Sequence, residues 1–123
     1  MRCRCTLLTG FLFCLALSLG TSLNAAPDRA TCEQQASRLI KAIQQSNAEE
    51  VNRFGAEFGP QLSEWSEAYP DSALIRFATG FYYMLQRDFP HALPHLEMAY
   101  KASNAAPVIG FQYVMALRMT RQP

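Results

Sequence analysis

Histidine, cysteine and glycine are scarce in this chain, and each scarcity removes a class of chemistry. Two histidines, His91 and His95, and four cysteines stand among 123 residues. Cys3, Cys5 and Cys14 all lie in the first fourteen positions, so Cys32 is the only cysteine of the remainder. An internal disulfide framework in that remainder is thereby excluded. There is no G-x-S-x-G turn for a nucleophile and no glycine-rich loop to cradle phosphate. No run alternates apolar and polar residues as a half-buried strand does. No basic stripe is present either, which makes nucleic acid and anionic membrane poor partners.

What is present begins with an export signal. Arg2 and Arg4 precede an apolar run, Leu7 to Leu19, and the small-residue stretch GTSLNAAP follows it. This three-part layout is that of a secretory signal peptide. Its apolar run is about 13 residues, against the roughly 20 that a membrane span requires. The expectation is cleavage after Ala25, because cutting one residue later would set Pro27 beyond the scissile bond. A lipid anchor is not expected, since the bulky Phe13 precedes Cys14. Loss of Arg2 and Arg4 takes the 11 basic side chains to nine against 10 acidic ones. The resulting chain of about 98 residues can bury one modest core. It is expected in the periplasm or outside the cell, with no stable membrane insertion after cleavage. An oxidising compartment would permit Cys32 to pair across a homodimer.

Beyond the signal, every segment reads at helical period. Thr31-x-x-Gln34 has capping-box spacing, ahead of a stripe formed by Cys32, Ala36, Leu39, Ile40 and Ile43. That helix is expected to end near Gln45. Asn47 followed by Glu49 and Glu50 reads as a second start, with Val51, Phe54 and Phe58 inward. Gly59-Pro60 is expected to break it. Leu62, Trp65 and Tyr69 then line a third short helix that Pro70 ends. Asp71 or Ser72 can cap the next, from Ala73 to Gln86, which is apolar over most of its circumference. Arg87-Asp88 makes a tight turn into a partner helix, Phe89 to Ser103, with Leu93, Leu96, Ala99 and Tyr100 inward. A last helix, Val108 to about Thr120, carries Val108, Phe111, Met115 and Leu117, and the tail 121–123 is expected to fray. The fold class is all-α, a short stack of antiparallel helical hairpins with about five or six helices, forming one domain over residues 26–120.

The hairpin from Ala73 to Asn104 resembles a tetratricopeptide repeat. That 34-residue unit has a small residue at position 8, an aromatic at 11 and alanines at 20 and 27. Counted from Ala73, those places fall on Gly80, Tyr83, Ala92 and Ala99. Arg87-Asp88-Phe89 stands where the family usually has Gly-Asp-Tyr. Departures are Arg76 in place of a large apolar residue, Thr79 in place of leucine, and Asn104 in place of the closing proline. The resemblance implies that Gly80 and Ala92 let the two helices approach, that Tyr83 fills the groove between them, and that Ala99 admits the next unit. It also implies a concave face lined by Phe77, Phe81, Met84 and Leu85. That face is either covered by the helix from Cys32 to Gln45 or open to an apolar partner segment.

Candidate chemistry is thin. His91 and His95 stand four residues apart, a spacing that suits two zinc ligands on one helix face, but a structural zinc takes four ligands and a catalytic one usually three. The two are therefore read as side chains on the outer face of their helix. Glu49-Glu50 and Glu64-x-x-Glu67 read as solvated charges. No catalytic residue, metal or cofactor is expected. The function expected is an exported, non-catalytic module that binds a protein or peptide. The alternative is a small secreted effector, inhibitor or immunity-type protein whose helices support contact loops around Gly59 and Ala105.

Overall fold

The computed structural model of the chain describes residues 26–121, so residues 1–25, where the signal and its cleavage site are expected, and residues 122 and 123 of the tail lie outside the described residues. Six α-helices account for most of the described residues, and no strand occurs among them. They are α1 (Arg29–Gln44), α2 (Ala48–Phe58), α3 (Leu62–Ala68), α4 (Ala73–Leu85), α5 (Phe89–Ala102) and α6 (Pro107–Arg121). None of these helices is long and apolar enough to cross a membrane. The packing is antiparallel: α4 lies on α5, α5 on α6, α1 on α4 and on α2, and α3 on α4.

Three of the links share one backbone device. Helix α1 ends with Ser46 at φ 53°, α4 with Arg87 at φ 60° and α5 with Asn104 at φ 56°. In each, the amide two residues beyond the cap reaches five residues back: Asn47 to Ala42, Asp88 to Tyr83, Ala105 to Tyr100. This is the Schellman closure, which usually places glycine at the left-handed position. Here no glycine is used, and a left-handed non-glycine residue costs about 1 kcal/mol. Asn47 and Asp88 then serve twice, because their side chains also accept the first amides of α2 and α5. The turns are short because one residue both closes a helix and opens the next.

One expected boundary differs. Helix α1 starts at Arg29, before the proposed capping box, so Thr31 is already helical; its hydroxyl donates to the Asp28 carboxylate at 2.6 Å. Helix α2 ends at Phe58, ahead of Gly59-Pro60 as expected. A 3-10 turn, Gly59–Gln61, carries α2 into α3, and Gly59 is buried. A β-carbon on Gly59 would lie 2.4 Å from the Tyr82 ring, so this position is a close contact with α4 and not an exposed loop.

The core sits between α1, α3, α4 and α5. Cys32, Ala36, Leu39, Leu62, Trp65, Ile75, Phe77, Ala78, Ala92, Leu96 and Ala99 are all at most 2% exposed. Gly80 faces α5 so closely that a β-carbon would stand 2.7 Å from Leu96 Cγ and 3.3 Å from the Ala92 carbonyl. Small residues at 80 and 92 thus set the separation of the hairpin helices. Thr79, in the place where leucine was expected, is buried and polar. Its hydroxyl donates to the Ile75 carbonyl at 2.8 Å, and the Ser66 hydroxyl of α3 pairs with it. A buried hydroxyl without such partners would cost about 1–3 kcal/mol.

The N-terminal helix is tied down by polar contacts at its start. Arg29 spans to Asp71 at 3.0 Å and Glu33 accepts from Ser72 at 2.8 Å. The Tyr69 hydroxyl donates to the Pro27 carbonyl at 2.6 Å. Ser72, rather than Asp71, caps α4 through the Ile75 amide.

Candidate functional site

At the opposite end of α1 the helices diverge and leave an apolar cleft. Its walls come from the end of α1 (Ala42, Ile43), the start of α2 (Val51), the end of α4 (Phe81, Leu85) and Gln112 of α6, around about 300 Å³. A second cleft of about 330 Å³ adjoins it through Ile43 and Gln112 and is lined by Val108 and Phe111. Leu85 is 45% exposed and Phe111 64%, both large side chains in water beside these openings. The first cleft lies where α1 ends, at the Schellman turn closed by Ser46, and residues 46 to 48 of that turn line it.

The four residues expected to line a concave face are therefore divided. Phe77 has no exposed surface and Phe81 is 9% exposed, so α1 covers most of the face and Phe77 belongs to the core. Phe81 reaches the cleft only at its floor, Met84 is half-buried, and Leu85 stands at the rim. Of the residues expected at packing positions, Gly80, Ala92 and Ala99 are all buried, and Gly80 meets Ala92 and Leu96 across the α4–α5 contact. Tyr83 lies against the start of α5, its ring 5.7 Å from both histidine rings and stacked on that of His95.

The histidines differ from each other. His91 is exposed, and its Nδ1 lies 2.8 Å from both carboxylate oxygens of Asp88, which can only accept, so Nδ1 carries the hydrogen. His95 was expected to face outward, yet it is half-buried between Tyr83 and Arg76. Arg76 Nη1 stands 3.1 Å from its Nδ1. A guanidinium only donates, so that nitrogen is the acceptor and His95 is neutral with hydrogen on Nε2. Burial, then the charges of Arg76 and His91, holds its pKa below the usual 6.5. One histidine's Nδ1 is therefore a donor and the other's an acceptor already engaged, which is a poor arrangement for joint metal chelation. Among the described residues no group of three or more His, Cys, Asp or Glu could hold a metal ion.

Arg76 explains its own departure from the repeat pattern. Its Nε donates to the Pro70 carbonyl at 3.0 Å while its other arm reaches His95. The side chain thus bridges the α3–α4 turn to α5, which an apolar residue could not do.

Cys32 is fully buried, with its thiol 3.5 Å from the Pro27 carbonyl. Burial pushes its pKa up. In this fold it packs as a small apolar residue, and a disulfide to another chain would require α1 to lift away.

Sequence reasoning named Phe81 and Leu85 of this cleft but missed its other walls, because those come from α1, α2 and α6, distant in sequence from α4. For Phe111 the signal available was apolar excess, a large side chain on the last helix that stays 64% exposed. Comparison with protein-family models, with curated proteins and with solved structures finds no match to the chain.

Proposed function

We propose that the chain is an exported, non-catalytic, tetratricopeptide-like module that binds a protein or peptide partner. The observation that carries this reading is the pair of adjoining apolar clefts rimmed by exposed Leu85 and Phe111. A cleft lined by apolar side chains, with few polar groups converging on it, suits insertion of a partner's side chains rather than bond making. The repeat reading draws support from spacing, since α4 and α6 begin at 73 and 107, one 34-residue period apart. Export rests on the charge, apolar run and small residues of positions 1–25.

A photo-crosslinking group at Gln112, in the wall shared by both clefts, tests this in the extracytoplasmic fraction. The expected result is one discrete crosslinked partner that disappears when Leu85→Glu is added, with the melting temperature little changed. Crosslinking indifferent to Leu85→Glu, or turnover by the purified protein in a broad hydrolase screen, would sink the reading.

A further inference from the structure

The outer face of α6 carries a pattern of its own. Pro107, Phe111, Val114, Arg118 and Arg121 are all exposed, and they recur at steps of four, three, four and three residues. Their opposite face, centred on Ile109 and Ala116, is the one buried against the fold. That alternation of steps is the seam by which one helix meets another along its length. It runs over a 15-residue helix, so about 21 Å of seam is on offer.

The seam is chemically polarised. Its first half is apolar and its second half ends in two arginines, neither of which has an acidic partner among the described residues. From position 98 onward the sequence contains no aspartate or glutamate at all. An occupant must therefore bring its own negative charge to one end and apolar side chains to the other. A second copy of this chain does not fit. Among the described residues its exposed large apolar side chains are Leu85 of α4, Met98 of α5 and Phe111 and Val114 of α6, whereas the helical carboxylates without a basic partner, Glu57, Glu64 and Glu67, lie on α2 and α3, so no one helix brings both. An anionic membrane fits less well, because surface-binding segments carry clusters of about four to eight basic residues. Phe111 also lines a cleft rather than standing on a plateau.

We infer that α6 receives an acidic amphipathic helix of a partner protein, its apolar residues on Phe111 and Val114 and its carboxylates at Arg118 and Arg121. This rests on the module reading above and names the chemistry of the partner at the same site. Residues of the docked helix nearest Phe111 reach into the second cleft, against Val108 and Ile43. The arginines select by charge and steer approach, an effect that salt screens over about 8–10 Å.

Two synthetic helical peptides with the same leucine seam, one flanked by glutamates and one by lysines, provide the test on the full chain. At low salt the glutamate peptide is expected to bind at least tenfold tighter, moving the amide resonances of residues 107–121. Arg118→Glu with Arg121→Glu should reverse the preference. Phe111→Glu with Val114→Glu should abolish binding of both peptides, and circular dichroism checks that each variant still folds. Equal affinity for the two peptides, or binding of neither, overturns the inference. So does preferential binding to phosphatidylserine vesicles, or a dimer in sedimentation that Phe111→Glu dissolves. A partner still crosslinked at Gln112 while both peptides fail would reject the acidic helix alone. Loss of that crosslinked partner as well would reject the module reading with it.

Discussion

The α4–α5 hairpin and the C-terminal helix α6 are built from similar residues but hide very different shares of them. Helix α4 buries Ile75, Phe77, Ala78, Thr79, Gly80 and Phe81, while α6, two residues longer, buries Ile109 and Ala116. Helix α4 has neighbours on three sides, in α1, α3 and α5; α6 leans chiefly on α5. Apolar composition alone therefore does not say which face is core. What decides is how many helices arrive to cover it, and the side chains left over on α6 are available for another molecule.

The sharpest way to break this contrast is one substitution made in both places. Phe77→Ala should cost about 3–5 kcal/mol in urea unfolding, through lost burial and the cavity left behind. Phe111→Ala should stay within about 0.5 kcal/mol, as exposed positions do. Equal losses would mean that α6 is covered in solution.

The polar contact inside the hairpin region comes next. Thr79→Val keeps the volume but removes the acceptor of the buried Ser66 hydroxyl, and should cost about 1–3 kcal/mol by the same measurement. Adding Ser66→Ala to that variant should recover part of the loss, since both partners are then gone.

The links at the two ends of α5 offer a smaller test with the opposite sign. Arg87→Gly relieves a left-handed arginine and should stabilise by about 1 kcal/mol. Asn104→Gly should gain only a few tenths, because asparagine tolerates that conformation. A loss on Arg87→Gly would show that its side chain contributes something the backbone does not reveal.

The smallest expected effect is a pH dependence confined to the hairpin. The folded His95 binds a proton less readily than the unfolded chain, because burial and Arg76 disfavour its charged form. Its contribution to stability is therefore complete above the usual 6.5 and is lost as pH falls through the lowered folded value. Melting temperature should decline across that window in the wild type and more gently in His95→Gln. A His95 that titrates at or above 6.5 by NMR would contradict the Arg76 hydrogen bond.

Helix positions were largely readable in advance. Asn47, Ser72 and Asp88 cap where short polar side chains before apolar-periodic runs should, and each acts on an amide within three residues. The start of α1 was misread because Thr31 and Gln34 match a capping box that Asp28 pre-empts; the spacing is local, but the choice between two adjacent starts depends on how Pro27 and Arg29 meet Tyr69 and Asp71. The candidate site was legible only in part. Leu85 was named, whereas Phe111 was only counted among the apolar residues of α6, whose periodicity allows two nearby faces, and the one with Ile109 and Ala116 became the buried one. His95 was placed outward for the same reason, before Arg76 and Tyr83 of another helix closed around it.

By itself the sequence determined that the described chain would be all helix, where most of those helices begin and end, and which two form the close hairpin. Those properties depend on backbone hydrogen bonds and on side chains a few residues apart. Tertiary structure alone decided that α1 would cover Phe77 but stop short of Leu85, that Gly59 would lie beneath Tyr82, and that α6 would keep Phe111 and Val114 in water. Burial depends on the meeting of helices distant in sequence, and no local pattern records how many of them will arrive.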